Sequence, residues 1–175
     1  ASAKLVEITR TGMAALPAGS NAASLAAGVL QEGEAAPDDA LIDQTDRRRS
    51  FSEWKGGLTL VTFIYTRCPL PNFCPLMDKN FAAIQKAVAT DPALASVKLV
   101  SVSFDPDHDT PAVLAAHAKK VGADPARWTF LTGDRVTVDR FAAKFGVGVA
   151  REDTEITHNL RTVLIRADGT IGKIY

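Results

Sequence analysis

The only two cysteines of this chain, Cys68 and Cys74, lie in the stretch YTRCPLPNFCPLMDKNF, with five residues between them and a proline directly after each. Three uses are open to such a pair: a disulfide, two ligands of a metal site, or two inert buried thiols. The prolines narrow the local geometry. A residue that precedes proline is pushed out of the α region, so Cys68, Leu70 and Cys74 are expected to be extended or turn-like, while Pro75 suits the first position of a helix. Cys74 is then expected at the helix N-cap, with its sulfur, and that of Cys68, near unpaired N–H groups and the positive end of the helix dipole. That setting lowers a thiol pKa from about 8.5 toward neutrality and yields thiolates suited to redox exchange or to soft-metal binding. A disulfide needs Cα atoms within about 4.4–6.8 Å, whereas six extended steps span roughly 20 Å, so the loop has to fold back on itself. Pro69 and Pro71 stiffen that turn. Inert core thiols are the weaker reading, because a Cys-Pro pair at a strand end and another at a helix start is an unusual placement for core residues.

Flanking elements must hold the pair. LTLVTFIY (58–65) has apolar residues on both faces, as a strand in the middle of a sheet does, and it delivers the chain to Cys68. After Pro75, Met77, Phe81, Ile84 and Val88 fall on one helical face. VKLVSVSF (97–104) alternates as a strand. DTPAVLAAHAKKVG (109–122) opens with a capping residue and proline, with Val113, His117 and Val121 on a shared face. WTFLTG reads as a short strand, DRVTVDRFAAKFG (134–146) as a helix burying Val138, Phe141 and Phe145, and NLRTVLIRADGTIGKIY (159–175) as two strands around an Asp168-Gly169 turn. Three strand–helix repeats followed by a hairpin predict an α/β sandwich of the thioredoxin-like plan, a central mixed sheet flanked by helices. The plan normally adds a final helix, which the chain, stopping at Tyr175, lacks. In residues 1–35 the periodicity is weak. KLVEI (4–8) reads as a strand, SLAAGVLQEG (24–33) as strand or helix, and the segment is expected to be an extension ahead of one domain over 36–175.

Composition excludes some classes. Twenty basic and twenty acidic side chains cancel, which removes the electrostatic footprint of a nucleic-acid binder or a polybasic membrane-surface protein. At 175 residues and 46% hydrophobic, the chain is long and apolar enough for one domain with a sizeable core. No apolar run approaches the roughly 18 residues of a membrane span, and the start lacks the layout of a signal peptide.

The stretches APDDALIDQTDRRRSFSEWKG, LTLVTFIYTRCPLPNFCPLM, SVSFDPDHDTPAVLAAHAKKVG, WTFLTGD and ITHNLRTVLIRADGTIGKIY resemble the SCO/SenC family of copper-binding, thioredoxin-like proteins. The resemblance implies copper, as Cu(I) or Cu(II), held by Cys68, Cys74 and His158, with Asp105 close behind the ligands. This chain departs from the family in having five residues between its cysteines, where three are usual. The implied function is a metallochaperone for maturation of a cuproenzyme, foremost the binuclear copper centre of cytochrome c oxidase. The implied partner is a protein with copper-ligand cysteines, such as an oxidase subunit. The implied setting is the periplasm or a membrane anchor facing an extracytoplasmic space, with the protein a monomer. The alternative is a thiol-disulfide oxidoreductase that uses the Cys68–Cys74 pair to reduce a partner's copper ligands. Chemistry agrees with the first reading, since two thiolates and an imidazole form a soft, low-coordinate set suited to Cu(I). Thioredoxin-type reductases place a cis-proline just before the late strand, where this sequence has Thr157-His158. A peroxidase of the peroxiredoxin kind is a poor fit, because neither cysteine has its expected surroundings.

Other residues have blander readings. His108, in an acidic loop, is expected to be exposed rather than a fourth ligand. His117 reads as a partly buried histidine and Met77 as core packing. Arg47, Arg48 and Arg49 read as a solvated turn beside Asp46. Phe73, inside the cysteine loop, has few local neighbours to bury it, and either shields a metal or meets a partner.

Overall fold

The computed structural model describes residues 28–152 and 155–175. The strand read at 4–8 and the first part of the segment read at 24–33 lie outside the described residues. From 28 onward that segment is turn and coil rather than strand or helix. It is nonetheless held: the Leu30 N–H donates to the Lys144 carbonyl at 2.8 Å, the Gly33 N–H to that of Ile171 at 2.8 Å, and Ala35 bridges Thr170.

The elements are β1 (Leu41–Asp43), β2 (Arg48–Arg49), β3 (Thr59–Ile64), α1 (Cys74–Thr90), β4 (Lys98–Ser103), α2 (Pro111–Val121), β5 (Trp128–Thr132), α3 (Arg135–Lys144), β6 (Val149–Glu152), β7 (Glu155–His158), β8 (Thr162–Ile165) and β9 (Ile171–Ile174). One seven-stranded sheet runs β2-β1-β5-β4-β3-β8-β9, and β6 and β7 form a separate two-stranded sheet. β3, β4 and β5 are parallel, joined through α1 and α2, while β1 and β8 add antiparallel on either side. This is the mixed sheet with flanking helices that the hydrophobic pattern predicts. The centre of β3 is covered on both faces, Val61 to Ile64 all being buried.

Register assigns the layers. Thr62, Ser101 and Phe130 are neighbours across β3, β4 and β5 and therefore share one face. On it Trp128 stacks against Phe130 with centroids 5.0 Å apart, and Phe81 of α1 packs on Trp128 at 5.7 Å. Phe63, next to Thr62, points the other way and meets Phe141 and Phe145 at 6.4 and 5.5 Å. The sheet thus has α1 and α2 on one side and α3 on the other.

Some sequence readings need correction. α1 begins at Cys74 and its N-cap is Phe73, so Cys74 sits inside the first turn rather than at the cap. The buried stripe of α2 is Leu114 and Ala118; Val113, His117 and Val121 flank it and are half-buried. The helix is rolled so that His117 faces α1, where its Nε2 meets Asp78 Oδ2 at 2.9 Å. Arg47 and Arg48 are exposed, as a solvated turn requires, but Arg48 and Arg49 also form β2, and Arg49 pairs with Asp43 and Glu53, each at 2.8 Å. Neither the β1–β2 nor the β6–β7 hairpin was legible in the pattern.

Candidate metal centre

The parallel strands end where α1 begins, so the chain leaving β3 and the chain entering α1 meet at the C-terminal edge of the sheet. Two buried carboxylates fix the exit from β3. Asp109 accepts from the Thr66 N–H at 3.0 Å, from the Thr66 hydroxyl at 2.5 Å and from the Ser103 hydroxyl at 2.5 Å. Asp105 takes the Arg67 guanidinium on both oxygens, at 2.7 and 3.3 Å. The two residues before Cys68 are therefore tied to the loop after β4. Asp105 stands on Arg67, the neighbour of Cys68, rather than on a thiol or imidazole.

Cys74 is buried, and the Tyr65 N–H donates to its sulfur at 3.5 Å. Across the site its Sγ lies 3.8 Å from His158 Nε2. The other ring nitrogen of His158, Nδ1, is 3.0 Å from the Asn159 carbonyl, which can only accept, so Nδ1 carries the proton and Nε2 presents its lone pair toward the thiol. The imidazole packs among Phe104, Tyr65 and Phe73, with centroids 4.5, 5.8 and 6.0 Å away. Burial lowers the His158 pKa, opposed by the Asn159 carbonyl, and the ring is neutral at pH 7. Phe73 meets the imidazole edge-on from the cysteine loop.

The Cys74 thiol does not follow the helix-dipole expectation. Its pKa is raised: burial is the largest cause, the Tyr65 N–H opposes it, and the nearby Cys68 adds to it. Desolvation of the buried sulfur outweighs the partial charge of a helix end, which acts within one turn and is worth typically 0.3–1 kcal/mol.

Cys68 is less buried than Cys74, and its thiol turns toward the Leu70 carbonyl at 3.9 Å. It lines a cavity of about 450 Å³ together with Tyr65, Leu70, Phe73, Ile156 and His158. Both cysteines are free thiols, and among the described residues no three His, Cys, Asp or Glu side chains converge into a finished ligand set. Cys74 and His158 are together, and the half-buried Cys68 lies beside Cys74 and lines the same cavity as His158. His108 is exposed, Met77 packs against the core, and His117 is engaged with Asp78.

A family model described as SCO1/SenC matches residues 31–175. The chain belongs to the SCO1/SenC family. Among relatives of this SCO1/SenC chain, the SCO1 protein homolog of Bacillus subtilis is 27% identical over 137 residues, covering 76% of this chain and 69% of that protein. A mitochondrial SCO2 homolog of Danio rerio is 28% identical over 138 residues, covering 75% of this chain and 48% of that protein; the chain thus spans about half the length of such mitochondrial relatives. The crystal structure of a SCO1/SenC family lipoprotein from Bacillus anthracis superposes with a TM-score of 0.72 at 26% identity, over 84% of this chain and 88% of that one. BsSco, described as a member of the Sco family of cytochrome c oxidase assembly proteins and carrying a disulfide switch, gives 0.70 at 27%, over 84% and 86%. Arabidopsis thaliana ScoI with copper bound gives 0.71 at 22%, over 81% and 87%, a likeness of fold.

Asp109, Thr66 and Phe104 escaped the sequence reading. An aspartate two residues before the proline that opens a helix looks like a cap; that it reaches back to the turn before Cys68 depends on a contact 43 residues away in sequence.

Proposed function

We propose that this SCO1/SenC protein binds one copper ion through Cys68, Cys74 and His158 and passes it to a cuproenzyme partner, the binuclear copper centre of a cytochrome c oxidase. The observation that carries the reading is the 3.8 Å approach of Cys74 Sγ to a His158 Nε2 whose tautomer leaves its lone pair free. The donors fit the ion. Two sulfurs and a neutral imidazole are a soft set that suits Cu(I) and accepts Cu(II). Burial holds the Cys74 proton in place, so a thiolate there needs a cation beside it, and a bound metal supplies that charge. Cys68, which lines the cavity, has to turn from the Leu70 carbonyl to complete the set, and its partial exposure suits it to meet an incoming partner thiolate during ligand exchange. Asp105 acts behind the ligands, holding Arg67 and so the path into Cys68.

Family membership supports the same reading, as does the place of BsSco among cytochrome c oxidase assembly proteins. Relatives that include a lipoprotein and mitochondrial proteins support a site of action facing an extracytoplasmic space.

Anaerobic copper titration with a competing chelator tests the reading. One equivalent is expected to bind to the reduced protein, and His158→Ala is expected to weaken binding while both thiols remain titratable. Unchanged affinity in that variant rejects His158 as a ligand. A protein that takes up no copper while cycling a dithiol with a partner points instead to the reductase alternative.

A further inference from the structure

The hairpin that carries His158 is a two-stranded sheet of its own and, among the described residues, pairs with no strand of the main sheet. Its position is therefore set by turns and side chains rather than by a ladder of backbone bonds. At its base, Asn159 accepts from the Gly148 N–H at 2.8 Å and donates to the Gly146 carbonyl at 3.1 Å. Those bonds close the hairpin's two ends on each other. They do not press it against the thiols.

Arg151 does. In the hairpin register Val149 stands opposite His158 and Arg151 opposite Ile156, so Arg151 lies two residues from the partner of His158. Its guanidinium donates to both oxygens of Asp139 on α3, from Nη2 at 2.6 Å and from Nη1 at 3.2 Å, and Nη2 also donates to the Phe104 carbonyl. Phe104 follows β4, and its ring is the aromatic neighbour nearest to the His158 imidazole, at 4.5 Å. One side chain thus joins the hairpin, α3 and the edge of the main sheet where the imidazole rests. Among the described residues the buried Arg151 Nε has no acceptor, an unfavourable placement that the other guanidinium bonds must outweigh. The planar fork that meets a carboxylate and a carbonyl at once is available to arginine and not to lysine.

We propose that Arg151 is a positioning residue for the metal site, latching the β6–β7 hairpin to Asp139 and Phe104 so that His158 Nε2 is held within reach of Cys74. The inference rests on His158 being a copper ligand. Arg151 touches neither thiol nor imidazole; it acts through the hairpin and through Phe104.

The test compares Arg151→Met, Arg151→Lys and Asp139→Asn, each alone and with His158→Ala, in the full chain. Copper affinity is read by chelator competition, nitrogen hyperfine coupling by EPR of the Cu(II) form, and folding by the thermal midpoint of the metal-free protein. Arg151→Met is expected to lower affinity by about tenfold to a hundredfold, the range for residues that orient a metal ligand, and to weaken the nitrogen coupling. Asp139→Asn should do the same to a smaller extent, and Arg151→Lys should fall between Arg151→Met and wild type. Combined with His158→Ala, none of the three should lower affinity further. An Arg151→Met variant that binds copper with unchanged affinity and hyperfine coupling overturns the inference, whatever its thermal midpoint. So does a loss of affinity that persists undiminished in the His158→Ala background. If His158→Ala itself leaves affinity unchanged, the ligand assignment fails first; if it weakens binding and Arg151→Met does not, only the latch fails.

Discussion

Asp109→Ala should separate the support of the site from the site itself. The carboxylate is fully buried and is the acceptor for three donors, the Thr66 N–H, the Thr66 hydroxyl and the Ser103 hydroxyl. Leaving a buried donor without an acceptor costs about 1–3 kcal/mol. The Thr66 N–H cannot reorient, and Ser103 is itself fully buried, so these two carry most of the loss, while the half-buried Thr66 hydroxyl can turn to water. Removing a buried charge returns part of its desolvation penalty. The net expectation is a loss of about 3 kcal/mol, a large fraction of the 5–15 kcal/mol typical of a domain. Asp109→Asn keeps the shape and one acceptor oxygen but faces a hydroxyl with an amide, and should lose about half as much. Urea unfolding of the metal-free variants measures this as a lower midpoint at unchanged slope. Copper affinity should fall in the alanine variant as well, because Thr66 anchors the chain two residues before Cys68. A stability loss under about 1 kcal/mol for Asp109→Ala would refute the reasoning, since it would mean that these donors find water or other partners at no cost.

Copper uptake by two cysteine ligands should release both thiol protons, so apparent affinity should rise about a hundredfold per pH unit near neutrality, and more steeply once pH falls below the depressed pKa of His158 and its ring also has to lose a proton; a pH-independent affinity from competition titrations would contradict this. Burial works against ionisation of Asp43, but hydrogen bonds from Thr45, Arg49 and the Arg47 N–H outweigh it and hold its pKa below the ordinary carboxylate value. Its contribution is complete above the unfolded pKa of about 3.9 and is lost as pH falls through the lower folded value, so Asp43→Asn should flatten the acid limb of the stability curve measured by urea unfolding. Deleting the exposed Pro71 and Asn72 restores a three-residue spacing between the cysteines and leaves Phe73 to meet His158; because each doubling of a loop changes closure by only about 0.6 kcal/mol, copper binding should survive. Loss of binding in a deletion variant that stays folded by circular dichroism would show that the longer loop makes specific contacts.

What the sequence determined by itself is the part governed by local periodicity. Runs such as LTLVTFIY and the helical stripe from Met77 to Val88 have a single low-energy way to bury their apolar faces, and β3 and α1 follow. Prolines and glycines, acting on their own backbone and on the residue before them, placed the helix start near Cys74 and the turn at Gly169, whose φ is 88°. The resemblance singled out His158. Tertiary structure decided the rest. Local reasoning gave the Cys74 thiol the wrong sign, because a helix end is visible in sequence while the burial that dominates is set by tertiary packing. The β1–β2 and β6–β7 hairpins are short and charged, and their pairing depends on what they lie against rather than on alternation. The meeting of Cys74 with His158 spans 84 residues of chain, and that of Thr66 with Asp109 spans 43; contacts of that range are set by the order of strands in the sheet, which no window of sequence contains.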